Sequence, residues 1–452
     1  STRLPADILR FGYDRSAQAI GIVHLGIGAF HRAHQAWYTD RAMDAGDRDW
    51  CIQGVSLRSS DVAEQLNPHD GLYSVTERSA TGGATRLIGA VKGVLNARQE
   101  ADAVIAGIAA PHTKIISLTV TEKGYCRTPD GRLDAALAEE NALYPSLAAG
   151  LRRRQQAGLN GLTLLSCDNL TDNGAVLARL LTEYLDRHDP TLLTWFEREC
   201  SCPSTMVDRI VPATTPADRL AFRTSTGIED AGMVVTETFT QWVIEDRFAG
   251  PRPRWDSAGA EFVANVSAHE DAKLRMLNAA HSVLAYLGLA RGHEFVHEAI
   301  ADTDLRQDIA RLLLDEAAPT IETSDLDLEV YATALIARFS NPALNHSLRQ
   351  IAQDGSQKIP QRWLATLNKN QKMGRSCPVI LSALAAWVRH LRGANGSVED
   401  PRAAELLKVA QSSTPFAELF GPDGSIASPW IPTEDDAAAL KLALDRLDGP
   451  HA

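Results

Sequence analysis

The sequence predicts an α/β Rossmann-type N-terminal domain followed by a mainly α-helical C-terminal domain. Three observations predict it. An apolar run over residues 21–25 passes through Gly26 and Gly28 into a helical pattern, the context a dinucleotide-binding turn requires. Strand-type runs alternate with helical patterns up to about residue 260 and are scarce beyond 265. The chain of 452 residues exceeds one ordinary domain. The stretch 248–260 contains Pro251, Pro253 and two glycines, which sets the division at 1–262 and 263–452.

Residues 1–20 read as irregular. In the first strand–turn–helix, Gly26 permits a tight turn and Gly28 lets a backbone approach a pyrophosphate. His31 stands where a third glycine is usual, so the pattern is a bare G-x-G. Arg32 lies in the first turn of the helix, where a cation is poorly placed unless an anion is near. The next strand, 50–57, is followed by Arg58, Ser59 and Ser60 rather than by the acid that usually meets the adenosine ribose. Arg58 suits a 2′-phosphate or an ordinary surface role, so NAD and NADP both remain open. Residues 72–95 read as a β-hairpin about Thr81-Gly82-Gly83.

Further strands are expected at 114–120 and 162–166, with helices at 98–109, 133–157 and 174–187. Thr121 and Glu122 follow the first of these strands, and Asp168 and Asn169 the second. Ligands of an open parallel sheet sit beyond the carboxyl ends of its strands, which makes these four candidates by position. Asp168 serves equally well as a helix cap. The stretch Met206-Val-Asp208 and one strand-like run over 233–246 complete the first domain.

Helices are then expected at 270–290, 296–316, 325–339, 343–353, 360–369, 378–392, 401–410 and 434–447. On a wheel at about 100° per residue, Leu277, Ala280, Val283, Leu284 and Leu287 form one apolar arc. Lys273 falls within it, and Asn278 and His281 lie at its edge, with Glu270 one turn earlier. Desolvation would lower the lysine pKa and make it a usable acid/base. The competing account is a stem laid on apolar surface with its ammonium in water. The convergence of several polar groups favours a site. It should face the nucleotide domain across a cleft, because such sites favour domain interfaces. Arg349 and Lys358 are the cations to consider for a hydroxylated or anionic substrate, against a plain solvated face.

The net charge of -12 argues against nucleic acid or an anionic membrane as partner. No apolar run approaches a membrane span, and no signal-peptide pattern is present. The six cysteines are scattered, with Cys200 and Cys202 a lone pair, so reduced thiols in a cytoplasm are expected and no metal site.

Gly26-Ile-Gly-Ala-Phe-His-Arg-Ala-His34, Thr121-Glu-Lys-Gly-Tyr125, Ser166-Cys-Asp-Asn169, Met206-Val-Asp-Arg209, Gln241-Trp-Val-Ile-Glu-Asp246 and Lys273-x4-Asn278-x2-His281 occur in that order. Together they resemble the mannitol dehydrogenase family of polyol-specific long-chain dehydrogenases and reductases, over roughly residues 20–390. The first motif is worded more like the fructuronate reductases of that family, with Ala29 where mannitol dehydrogenases more often have Asn.

The resemblance implies a metal-independent, NAD(P)-dependent oxidoreductase acting on a sugar acid or polyol, with D-fructuronate/D-mannonate first and mannitol second. It implies NAD as cofactor, NADP not excluded, and a monomer. Lys273 is implied as general acid/base, Asn278 and Asn169 as the amide pair on the reacting oxygen, His281 as the group orienting substrate hydroxyls, and Glu270 as the gate for proton exchange. Phe30 joins Gly26, Gly28, Arg32, Arg58, Thr121 and Glu122 as an expected cofactor contact. Asp208, Arg349 and Lys358 are implied substrate contacts. Two rival readings are a catalytically idle nucleotide-binding regulator and a metal-dependent hydrolase built on His31 and His34.

Overall fold

Strand β1 (Ile20–Leu25) lies at the centre of a five-stranded, all-parallel sheet in the computed structural model. The structure describes residues 5–128, 130–322 and 326–449. The first four residues of the irregular N-terminal stretch and residue 325, expected as a helix start, lie outside these. The chain forms two units, Ser1–Ser267 and Ala268–Ala452, dividing a few residues after the 262/263 position read from composition.

In the first unit β2 is Cys51–Ser56, β3 Tyr73–Arg78, β4 Thr85–Ile88, β5 Val91–Asn96, β6 Ile115–Leu118 and β7 Thr163–Ser166. The large sheet runs β5-β2-β1-β6-β7. The chain leaves β1 towards β2 and later returns to its other side as β6, so strand order reverses at β1. Helices α1 (Ala29–Ala33), α2 (Gln35–Asp44), α3 (Asp61–Leu66), α4 (Ala101–Ala109), α5 (Ala135–Glu140), α6 (Leu143–Gln156) and α7 (Asn173–His188) fill the connections.

Strand side chains alternate between faces. Ile22, Ile52, Ile115 and Leu165 join a core with Trp37, Tyr38 and Met43 of α2. Val23, Val55, Ile116 and Leu164 join another with Ile108, Leu147 and Leu177 of α4, α6 and α7. Burial on both faces explains why these strands read as continuous apolar runs.

The structure revises several expected elements. The hairpin of 72–95 ends at Ile88, since β3 and β4 pair antiparallel while 91–96 is β5 of the large sheet. The helix expected over 133–157 is two, α5 and α6, broken at Asn141 and Ala142. The single run over 233–246 is two strands in different sheets. With α8 (Pro190–Glu199), β8 (Thr205–Asp208), α9 (Pro216–Thr226), β9 (Val234–Glu237), β10 (Gln241–Glu245) and β11 (Glu261–Val263), the small sheets are β4-β3-β9 and β11-β10-β8. Helices α8 and α9 were not anticipated. Yet Asp189-Pro190 and Thr215-Pro216-x-Asp218 are start signals, and Thr215 and Asp218 do form a reciprocal capping box.

The second unit is helical around one core in which Trp363, Trp387 and Trp430 are fully buried. Its opening differs from the smooth amphipathic helix expected. Helix α10 (Ser267–Ala272) passes into a π-helical turn, Lys273–Asn278, and then into α11 (Ala279–Ala290). The π turn bonds i to i+5, so a wheel of constant 3.6-residue pitch loses phase across it. Every residue of α11 from Ala279 to Gly288 is buried. It is therefore a central helix with no polar face. Each fully buried Val or Leu there contributes about 1.5–3 kcal/mol.

Candidate active site

The first unit gathers its candidate residues, Asp208 of β8 apart, beyond the carboxyl ends of β1, β2, β6 and β7. Gly26 has φ 95°, and a Cβ there would lie 2.2 Å from the Thr119 carbonyl oxygen, so only glycine fits. Its N–H donates to the Val55 oxygen at 2.8 Å, and the Gly28 N–H donates to the Gly26 oxygen at 2.7 Å. Gly28 is exposed, and a Cβ on it would meet nothing nearer than the Gly26 oxygen at 3.9 Å. The protein leaves space at this glycine, as a turn that admits a pyrophosphate must. A cleft of about 550 Å³ opens beside the ends of β2 and β5, lined by Leu57, Arg58, Ala97, Arg98, Ile105 and Lys123 among others. Its size suits one half of a dinucleotide. Arg58 is exposed there.

Arg32 has partners within the protein. Its guanidinium is buried, donates to the Gly28 oxygen at 3.3 Å and to the Gly232 oxygen, and lies 5.7 Å from the centre of the Tyr73 ring. The Tyr73 hydroxyl in turn donates to the Arg32 oxygen at 2.7 Å. Arg32 thus braces the glycine turn against β3 and the segment before β9, and the Asp230 carboxylate is near enough to favour its charge. Phe30 is half-buried and stacks on His34 with centroids 5.0 Å apart.

His31 is fully buried and stacks on His24, whose Nδ1 and Nε2 meet Ser117 Oγ at 2.8 Å and Thr119 Oγ1 at 2.9 Å. Burial drives the His31 pKa well below its ordinary range, so this ring is neutral. His34 Nε2 meets the Gln241 oxygen at 3.0 Å. These histidines brace the sheet, and among the described residues no group of three or more His, Cys, Asp or Glu side chains could hold a metal ion.

After β6, Thr121 and Glu122 are exposed. After β7, Asp168 is buried and Asn169 is exposed. Burial raises the Asp168 pKa against the pull of hydrogen bonds from Val120, Thr121 and Tyr125. Asp208 ends β8, is buried, and stands opposite Gln241 of β10.

In the second unit Glu270, Lys273 and Asn278 are half-buried while Arg275, Met276 and Leu277 between them are buried. His281 follows on α11, 4.8 Å from the Phe339 ring centre and 5.1 Å from that of His346. Burial, with Arg338 and Arg362 nearby, holds the His281 pKa well below its ordinary range. Its Nε2 is buried without a hydrogen-bond partner among the described residues. A buried, neutral and unsatisfied imidazole suits a hydroxyl partner.

The sequence reading missed Arg362. It lies in another π turn, Pro360–Leu364, and NH1 donates to the main-chain oxygen of Asn278 at 3.2 Å and to Ser282 Oγ at 2.8 Å. It fixes the junction of the Lys273 turn with α11. Burial lowers its pKa to about 10. An isolated arginine in a helical pattern carries no sequence signal for such a contact. Arg349 and Lys358, by contrast, are engaged elsewhere. Arg349 is exposed and donates to the Asn395 oxygen at 2.6 Å, and Lys358 Nζ donates to the Ile351 and Gln353 oxygens at 3.2 and 2.6 Å. Lys358 thereby caps the short helix Leu348–Ala352. A substrate anion would compete with those carbonyls.

Comparison with known proteins accords with this layout. Residues 20–257 match the family model of the mannitol dehydrogenase Rossmann domain, and 265–415 that of the mannitol dehydrogenase C-terminal domain. The chain is 39% identical to D-mannonate oxidoreductase of Escherichia coli (strain K12), covering 97% of this chain and 96% of the relative. It is 36% identical to mannitol 2-dehydrogenase of Phaeosphaeria nodorum, over 97% of this chain and 82% of that one. Among solved structures, the ternary complex of Pseudomonas fluorescens mannitol 2-dehydrogenase with NAD and D-mannitol superposes with a TM-score of 0.85. It is 34% identical, and 99% of this chain and 95% of that chain are covered.

Proposed function

Because this chain belongs to the mannitol dehydrogenase family, we propose that it interconverts D-fructuronate and D-mannonate. The family makes it an NAD-dependent oxidoreductase acting on CH–OH groups of a polyol or sugar acid. The finer substrate is our reading. The observation that carries it is the set Lys273, Asn278 and His281 on one helical run, in a chain this similar to D-mannonate oxidoreductase along its length.

Gly26, Gly28, Phe30, Thr121 and Glu122, with Arg58 at the adjoining cleft, would hold the dinucleotide. Arg32 would act through the turn it braces. A nicotinamide held there would supply or accept the hydride. The remaining work falls to side chains. In reduction the Lys273 ammonium gives its proton to the carbonyl oxygen as that oxygen becomes a hydroxyl, and in oxidation the neutral amine takes it back. The carboxamides of Asn278 and Asn169 donate hydrogen bonds to the same oxygen, stabilising the negative charge that develops on it. Glu270 passes the lysine proton to and from water. Neutral His281 uses its free Nε2 to orient a substrate hydroxyl. Asp208 is assigned a second polar substrate contact. Arg349 and Lys358 remain assigned to the far end of the substrate, for which they must release their carbonyls.

A panel of ketoses and hexuronates, run with NADH and with NADPH and followed by loss of reduced-cofactor absorbance, tests the reading. Fructuronate should exceed fructose in kcat/KM by at least about tenfold, since a carboxylate paired with a cation contributes on the order of 1.5–3 kcal/mol. A preference for fructose would make the enzyme a mannitol 2-dehydrogenase instead.

A further inference from the structure

Asp168 accepts three hydrogen bonds from one short segment: the Val120 N–H at 3.0 Å, the Thr121 N–H at 2.8 Å and the Tyr125 hydroxyl at 2.9 Å. Its own carbonyl is held by Nδ2 of Asn173 at 3.0 Å, which also donates to the Thr205 oxygen at 2.8 Å. The segment it grips abuts the glycine turn. Thr119 Oγ1 donates to the Gly26 oxygen at 2.7 Å, and the Thr119 N–H donates to the Leu25 oxygen at 3.0 Å. The ends of β1, β6 and β7 are therefore tied in series, and Asp168 reinforces the junction of the last two, where the Cys167 N–H also donates to the Leu118 oxygen at 2.8 Å.

What it holds is unusual. Thr121 has φ 64° and ψ 166°. That region is almost exclusive to glycine, and a β-branched residue suits it least. Thr121 is exposed, so buried packing of its side chain does not compensate. The restraint comes from the backbone side, where a buried carboxylate accepts two successive N–H groups. Charge-assisted bonds of that kind are strong.

We propose that Asp168 is a positioning residue whose carboxylate latches Thr121 into a glycine-like backbone conformation, shaping the end of β6 to receive the dinucleotide. The proposal rests on the assignment of Thr121 and Glu122 to cofactor binding. Asp168→Asn keeps the side-chain shape but turns an amide group towards donors that need acceptors. Thr121→Gly allows the conformation without the latch.

The test measures the NADH dissociation constant by protein fluorescence, and the melting temperature, for wild type, D168N, T121G and the double variant. D168N should weaken NADH by at least about tenfold. T121G should melt no lower than wild type, despite the entropy of a glycine, and its own NADH affinity is the reference for the double variant. The double variant should bind NADH within about threefold of T121G. Unchanged affinity in D168N, or a loss on the T121G background as large as that of D168N on wild type, would overturn the proposal. If D168N fails to fold, T121G decides alone, because a clearly lowered melting temperature contradicts strain at Thr121. If wild type itself does not bind NADH, the cofactor assignment fails, and the melting temperatures still test the latch.

Discussion

Two glycines in one turn make opposite demands. At Gly26 a Cβ would lie 2.2 Å from a carbonyl oxygen, on a backbone with positive φ. Gly26→Ala should therefore destabilise the fold by roughly 1–3 kcal/mol or more, seen as a lower denaturation midpoint. At Gly28 the backbone is extended and the nearest atom is 3.9 Å away. Gly28→Val should leave the midpoint nearly unchanged and raise the NADH dissociation constant by at least about tenfold, because the methyl groups occupy space the pyrophosphate needs. Equal loss of stability in both variants would mean that Gly28 serves the fold alone. The spacing of these glycines was legible in the sequence because it follows a strand and precedes a helix. The partners of Arg32, Arg349 and Lys358 were not, because main-chain carbonyls far along the chain carry no residue identity. Their type announced a cation and said nothing of what accepts its hydrogen bonds.

At the scale of elements, strands buried on both faces and helices with clear start signals were readable, whereas departures from regular pitch were not. The π turn at Lys273–Asn278 is one such departure. An apolar pattern read at constant pitch placed Lys273 in a greasy stripe, but the structure makes Lys273 and Asn278 the half-buried ends of that turn. The break between β9 and β10 escaped notice because 238–240 contains neither glycine nor proline.

A third π turn, Leu312–Ala317, carries Glu316 to the start of the helix Pro378–Leu391. Its buried carboxylate accepts the Val379 and Ile380 N–H groups at 2.7 and 3.0 Å. Burial pushes its pKa up to about 7 from an ordinary 4.5. The folded state then holds a proton that the unfolded state has released, so this group's contribution to stability falls as pH rises from 4.5 through about 7. Glu316→Gln should flatten that part of the pH dependence of the melting temperature. An identical slope in the variant would contradict the assignment.

The whole molecule comprises two units, each with its own core, and family similarity covers both. Thermal unfolding should respond to the cofactor accordingly. NADH at about one hundred times its dissociation constant should add about 2.7 kcal/mol to the unit that binds it, raising its transition by roughly 5–10 °C. If two transitions are resolved, the one that moves should belong to Ser1–Ser267, as nucleotide contacts on the glycine turn require. A shift confined to the other transition would count against that turn as the cofactor site.

In the proposed reaction Lys273 carries the proton, while a bound nicotinamide would carry the hydride. The most direct test is Lys273→Ala, measuring fructuronate-dependent NADH oxidation together with NADH affinity in the same preparation. Turnover should fall by at least about a hundredfold while the NADH dissociation constant stays within about twofold of wild type. Near-normal turnover, or loss of NADH binding in step with activity, would contradict the account.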